Sequence, residues 1–139
     1  MNILFAHELQ DAWCVPILSI TVYDTDTDNV ICCDDNGEKK YTIPIEELEK
    51  ICIIIKKRPN VLILTEEDIE DAGVLDGTID RFVFSDRKKS NELFASNIWA
   101  FQKSNSAAVN AKSVLSVFNR ISEILKNNGI DNCFLRLNY

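Results

Sequence analysis

The residue best suited to acid–base chemistry at neutral pH is His7, since the chain contains a single histidine. Imidazole titrates near neutrality, which makes histidine the usual general acid or base. Asp11 lies four residues later and would orient His7 only if the segment between them were helical. Because a general base needs a positioned partner, we expect His7 to be an ordinary hydrogen-bonding or surface histidine. We predict no catalytic residue and no enzyme activity.

Motifs that bind cofactors are missing from the sequence. It contains no nucleophile elbow, no P-loop, no dinucleotide fingerprint and no zinc-ligand spacing. With four glycines in 139 residues, there is little material for a glycine-rich phosphate loop. We therefore expect no cofactor.

One string resembles a metal site. Asp24, Asp26 and Asp28 occupy positions 1, 3 and 5 of a calcium-binding loop. However, Asn29 stands where the loop needs glycine, and Asp35 stands where it needs a bidentate glutamate. The flanking segments also favour strands. The sequence therefore predicts no metal site but a hairpin turn, in which Asp and Asn hydrogen-bond their own backbone.

Acidic residues are concentrated in one part of the chain. Between Asp24 and Asp80 there are sixteen acidic residues and six basic ones, whereas the remainder has six acidic and nine basic residues. A block of one sign creates a surface potential that attracts a partner of the opposite sign. The predicted partner-binding residues are Asp24, Asp26, Asp28, Asp34, Asp35, Glu66, Glu67, Asp68, Glu70 and Asp71.

These features favour an acidic binding protein. The expected partner is a basic protein such as a nuclease toxin, whose phosphate-binding cleft a small acidic domain would reach quickly by electrostatic steering and then block. A protein of this kind is an immunity-type inhibitor. Two alternatives remain: a non-catalytic subunit of a larger assembly, and a small enzyme whose site is assembled from distant residues.

Composition excludes other classes. A net charge of −7 and a pI near 4.7 disfavour direct binding to nucleic acid or to an anionic membrane. The longest unbroken apolar run is Ile51–Ile55, where a membrane-spanning helix needs about 20 residues. The five cysteines form no CxxC pair and are expected to be reduced. We expect one compact domain, residues 1–139, in the cytoplasm.

Local patterns predict strands in the first third of the chain. Val15–Tyr23 and Val30–Cys33 are rich in β-branched residues, and Lys40–Ile45 follows the hairpin signal Asn36-Gly37. Ile45–Lys57 has apolar residues at helical spacing, although its isoleucine run would also suit a buried strand.

Later segments complete the prediction. Val61–Leu64 indicates a central strand, and Glu66–Ala72 a short helix. Thr78–Phe84 indicates another strand. Ser90–Phe101 fits a helix, or Asn97–Gln102 forms a strand beside Thr78–Phe84.

The longest predicted helix comes near the end of the chain. Ser106–Asn127 carries an apolar stripe and ends at Asn128-Gly129, and Cys133–Tyr139 alternates like a strand. The fold class is α+β: a mostly antiparallel sheet with an N-terminal meander and a long C-terminal helix packed on one face.

Overall fold

The computed structural model describes residues 2–11, 13, 15–58, 79–96 and 109–130. These residues form six strands and two helices. In chain order they are β1 (Ile3–Gln10), β2 (Pro16–Tyr23), β3 (Val30–Asp34), β4 (Gly37–Tyr41), α1 (Ile45–Lys56), β5 (Ile79–Ser85), β6 (Ser90–Ser96) and α2 (Val109–Asn127).

The strands form one antiparallel sheet in the order β4-β3-β2-β1-β5-β6. The fold prediction is confirmed, because an N-terminal meander and a C-terminal helix accompany this sheet. β1 was not predicted, although it lies between β2 and β5 near the middle: His7 pairs with Ile20 on one side and Phe82 on the other. Most of β1 is buried on both faces, so it lacks the alternation that marks a half-buried strand.

Both helices contribute to the apolar core on one face of the sheet. Phe118 of α2 lies with its ring centroid 4.6 Å from that of His7 and 6.1 Å from that of Phe5. Ile51 and Ile55 of α1 are fully buried in the same cluster. Burying one such side chain contributes roughly 1.5–3 kcal/mol. Hydrophobic burial therefore fixes the helices on the sheet.

The two helices run antiparallel to each other. Near the start of α1, Glu47 Oε2 accepts a hydrogen bond of 3.2 Å from Asn128 Nδ2, just beyond the end of α2. Towards the end of α1, Ile54 shares a groove with Val117 from the first half of α2. Each end of α1 thus meets the opposite end of α2.

The segment from residue 45 is a helix, as the spacing of its apolar residues predicted. The preceding strand prediction, Lys40–Ile45, is partly wrong, because β4 begins at Gly37 and ends at Tyr41. Tyr41 pairs with Val30, the first residue of β3, so the chain beyond it has no strand to pair with there. The turn predicted at residues 34–37 is confirmed: Asp34 pairs with Gly37 across it, and Gly37 takes a φ of 114°.

The segment Ser90–Ser96 is strand β6, which pairs with β5 along its whole length. The helical alternative is therefore wrong over these residues, and the strand begins at Ser90 rather than at Asn97. Turn chemistry accounts for the earlier start. Asp86 Oδ1 accepts hydrogen bonds from the backbone N–H groups of Lys88 and Lys89, which closes a hairpin directly before Ser90.

The C-terminal end of α2 follows the prediction. Gly129 has a φ of 85°, a left-handed conformation that suits glycine. The N–H of Ile130 donates to the carbonyl of Leu125, and the N–H of Gly129 donates to that of Lys126. This is the Schellman arrangement, which satisfies the last carbonyls of a helix.

Several predicted elements lie outside the described residues: Val61–Leu64, Glu66–Ala72, Cys133–Tyr139 and the first residues of Ser106–Asn127. Within the described part of the chain, neither helix has the length and apolar character needed to cross a membrane.

Candidate functional site

The turn between β2 and β3 carries three acidic residues within five positions. Asp26 and Asp28 are exposed, whereas Asp24 is partly buried. Asp28 adopts a φ of 46°, a left-handed conformation that Asp tolerates better than most residues. We call residues Asp24–Asp28 the acidic turn.

The amide of Asn29 holds the acidic turn against the start of α1. Asn29 is fully buried. Its Nδ2 donates to the carbonyl of Ile43 at 2.8 Å, and its Oδ1 accepts from the N–H of Ile43 at 2.8 Å. One side chain therefore satisfies both backbone groups of a residue that has left the sheet. Because a buried unpaired amide is costly, Asn29 specifies where the turn lies.

A second attachment is electrostatic. Arg87, in the turn between β5 and β6, donates from Nε and Nη2 to the two carboxylate oxygens of Asp24 at 2.7 and 2.8 Å. Its Nη2 also lies 2.7 Å from Glu49 Oε1 on α1. These bonds lower the pKa of Asp24 and raise that of Arg87. Arg87 therefore ties the acidic turn to α1.

The first turn of α1 adds further acid beside the acidic turn. Glu46 is exposed and Glu47 partly so. The pKa of Glu47 is lowered, first by its hydrogen bond with Lys50 and then by that with Asn128. Carboxylates at a helix N-terminus interact favourably with the helix dipole, which explains their place here.

Asp26 and Ile45 line a shallow depression of about 330 Å³ between the acidic turn and α1. Ile45 is 54% exposed although it is a large apolar residue. Pro44, also exposed, lies between the strand end and the helix. Apolar surface is thus exposed next to the acidic residues Asp26 and Glu46.

Among the described residues, the predicted partner-binding residues Asp34 and Asp35 do not join this site. Asp34 and Asp35 lie at the opposite end of β3, where Asp34 Oδ1 accepts a hydrogen bond from the N–H of Asn36. Five residues of strand separate the two ends, a distance of roughly 15 Å. Outside the described residues are Glu66, Glu67, Asp68, Glu70 and Asp71.

His7 lies in the core, where sequence reasoning had not placed it. Its Nε2 is 2.5 Å from Asp80 Oδ2, and both side chains are fully buried. The imidazole stacks on Phe82 at 4.4 Å and meets Phe118 edge-on. Burial lowers the pKa of His7, although Asp80 opposes this effect. The pair is enclosed by protein, so its geometry fits a structural role.

No three side chains of His, Cys, Asp or Glu in the described ranges are placed to hold a metal ion. In the calcium-like string, Asp24 is engaged by Arg87 and Asn29 by the backbone of Ile43. Asp24, which the loop pattern would turn towards a cation, thus bonds elsewhere. The string forms the predicted hairpin turn, but the side chains of Asp24 and Asn29 bond Arg87 and Ile43 rather than their own backbone.

Comparison of the chain with protein-family models, with curated proteins and with solved structures gives no match. The site is therefore defined by its own geometry and charge. Its acidic residues were visible in the sequence, but their partners Arg87 and Asn29 were not. Arg87 carries no local signal, because it lies 63 residues from Asp24 in the chain.

Proposed function

We propose that this chain is an acidic binding protein, an immunity-type protein that occludes a basic partner such as a nuclease toxin. The observation that carries the proposal is the acidic turn, which is fixed at several points and still presents Asp26 and Asp28 to solvent. A reducing, cytoplasmic location is part of the proposal.

Rigidity matters because ordering a loop on binding costs free energy. Each side chain immobilised at an interface costs about 0.5–1.5 kcal/mol. Here the backbone of the acidic turn is already held, since Asp24 N–H donates to the carbonyl of Asn2 and Asn29 pairs with Ile43. The carboxylates therefore stand in place before a partner arrives.

Charge and apolar surface have separate roles in this proposal. Asp26, Asp28 and Glu46 attract a basic partner and accelerate association. Ile45, exposed next to Asp26 and Glu46, supplies an apolar anchor of the kind that dominates binding energy. Asp24 does not contact the partner in this proposal. Its carboxylate is neutralised by Arg87, and the two hydrogen bonds between them hold the acidic turn in position.

The test begins with affinity capture from the native host, using the protein and a charge-reversed variant as paired baits. The variant is Asp26→Lys with Asp28→Lys, because both side chains are exposed and neither carries a hydrogen bond that holds the turn. We expect a basic protein to be captured by the native bait only. Its association rate should then fall by at least tenfold in the variant and should depend less on salt.

The matched control is Asp35→Lys with Glu38→Lys. It changes the net charge by the same amount, lies at the other end of the sheet, and leaves the hydrogen bond of Asp34 intact. We expect a much smaller change in association rate. An equal fall in association rate in both variants would show that overall charge, and not the acidic turn, attracts the partner. An unchanged association rate in the turn variant would refute the docking proposal.

A second candidate function is a non-catalytic subunit of a larger assembly. Trp13, in the turn between β1 and β2, is 87% exposed, and Val15 is 53% exposed. Exposed aromatic residues are typical interface anchors. Replacing Trp13 by Ser should dissociate a native complex, seen as a smaller size in gel filtration of host lysate, if this candidate is correct.

A further inference from the structure

The groove between α1 and α2 is lined by basic residues. It has a volume of about 440 Å³ and lies where the end of α1 meets the first half of α2. Ile54 and Val117, both buried, form its apolar part. Lys57 and Arg58 lie on its α1 side. Small-molecule pockets commonly have volumes of about 300–1,000 Å³.

The α2 side of the groove adds Lys112 and Arg120, together with the hydroxyl groups of Ser113 and Ser116. Lys112, Ser116 and Arg120 lie on one side of the helix because successive members are separated by four positions. Lys112 and Ser116 are both exposed. The structure places them in a groove with a second helix.

Three of these cations have no acidic partner among the residues that the structure describes. In the described part of the chain, Lys57, Lys112 and Arg120 form no ion pair. Arg58, in contrast, lies 3.2 Å from Asp86 and donates to Asn91. As far as the described residues show, these three positive charges around one groove are uncompensated and repel one another, although the chain as a whole is acidic. An anion in the groove would remove that repulsion.

The helix geometry adds to this repulsion. Lys112 lies in the fourth position of α2, and the first turn of the helix contains no acidic residue. A helix N-terminus carries about half a positive charge, so a lysine there is unfavourable by itself. The dipole at this end of the helix favours an anion.

We propose that this groove binds a small molecule that carries a di- or triphosphate group. Lys57, Lys112 and Arg120 contact the phosphate oxygens, and Ser116 donates a hydrogen bond. The apolar remainder of the ligand packs on Ile54 and Val117. This site goes beyond the proposed partner docking, since it lies at the other end of α1, roughly 18 Å from Ile45 along the helix.

Phosphate chemistry is favoured over a long polyanion. Nucleic acid binding needs many cations along the polymer and is opposed by a net charge of −7. The groove instead concentrates its free cations within one volume of small-molecule size. Lys and Arg are both common phosphate ligands in proteins.

The test is titration calorimetry of the whole chain with inorganic pyrophosphate, ATP and adenosine as separate probes. We expect saturable binding of pyrophosphate and ATP, and none of adenosine alone. Tighter binding of ATP identifies an organic phosphate as the ligand, whereas equal affinity identifies the phosphate group itself. Both results support the proposed chemistry.

The decisive variant is Lys112→Gln with Arg120→Gln, which should weaken binding at least tenfold. Its control is Lys39→Gln with Lys126→Gln, which removes the same charge from exposed positions outside the groove and should change affinity less than twofold. Three results would overturn the proposal: no saturable binding of either phosphate at millimolar concentration, equal loss in the control, or tighter binding of a single-stranded oligonucleotide than of ATP. None of these substitutions alters the acidic turn, so this site and the docking proposal can fail independently.

Discussion

Two pairs of acidic and basic side chains, one inside the molecule and one on its surface, have similar distances between their paired atoms but very different surroundings. His7 and Asp80 are 2.5 Å apart and fully buried. Asp24 and Arg87 are 2.7 Å apart and are 22% and 37% exposed. Burial removes water from the first pair, so its partners depend on each other. The second pair is screened by solvent and contributes little energy.

This difference in burial suggests different roles for the two pairs, folding stability for the buried pair and partner binding for the surface pair. The buried pair joins β1 to β5 beneath α2, where a lost partner would leave a polar group without water. The surface pair joins the acidic turn to the turn between β5 and β6, where its loss would free a loop rather than open the core. We therefore expect substitutions in the first pair to change folding, and those in the second to change binding.

The largest expected effect is that of His7→Ala. The substitution leaves the Asp80 carboxylate buried without its imidazole and opens a cavity beside Phe82 and Phe118. Removing one partner of a buried pair typically costs about 3–5 kcal/mol. Urea unfolding followed by circular dichroism measures the loss.

The control replaces both partners, His7→Leu with Asp80→Leu. Apolar residues of similar volume often replace a buried pair without loss of stability, so the double variant should recover most of the free energy lost in His7→Ala. A double variant as unstable as the single one would show that packing, and not charge, sets the cost.

Acid should weaken the native protein through His7 before it affects the surface pairs. Burial holds the pKa of His7 below its ordinary value of 6.5, so the unfolded chain takes up a proton at higher pH than the native chain. Stability is therefore full above about pH 6.5 and falls as pH decreases towards the folded pKa, by up to about 1.4 kcal/mol per pH unit.

The double leucine variant should lack this slope. The pKa values of Asp24 and Asp86 are lowered, that of Asp86 to about 2 because the N–H groups of Lys89 and Lys88 bind it. Their contributions are present above their ordinary value of 3.8 and are lost only as pH falls below it. A slope between pH 6.5 and 5 that survives in the double variant would contradict the assignment to His7.

A smaller effect is expected for Asp24→Asn. The surface pair is partly exposed, and such pairs contribute about 0.2–1 kcal/mol. A double-mutant cycle with Arg87→Gln should give a coupling free energy in this range. Coupling above about 2 kcal/mol would mean that the pair behaves like a buried one.

The smallest expected effect on stability is that of Asp26→Asn. The side chain is exposed and forms no hydrogen bond or ion pair with another described residue, so the free energy of unfolding should change by less than about 0.5 kcal/mol. Thermal melting checks this value. A larger loss would place Asp26 among the residues that hold the turn rather than among those that meet a partner.

Prediction from sequence succeeded where the signal is local. Each of three correct predictions rests on residues that are close together in the sequence: the apolar stripe of α2, the turn at residues 34–37 and the helical spacing after Ile45. Burial on both faces concealed β1, because its residues do not alternate. The start of β6 was concealed because the apolar residues in Ser90–Phe101 also fit a helix.

The candidate sites divide in the same way. The acids of the acidic turn are adjacent in sequence and were predicted, whereas their anchors Arg87 and Asn29 act through tertiary contacts. The basic groove combines residues 54–58 with residues 112–120. The two segments are more than 50 residues apart in the sequence, so their basic residues could not be recognised as one group until the structure showed the two helices side by side.

The pairing of β1 with β5 also has a consequence for how the chain is made. His7 is synthesised 73 residues before Asp80, an interval of roughly 4–15 s at 5–20 residues per second. During that interval β1 has β2 available on one side, while its other edge has no strand to pair with. The nascent chain therefore carries an open strand edge with Phe5 and Leu9 beside it, the kind of surface that chaperones protect.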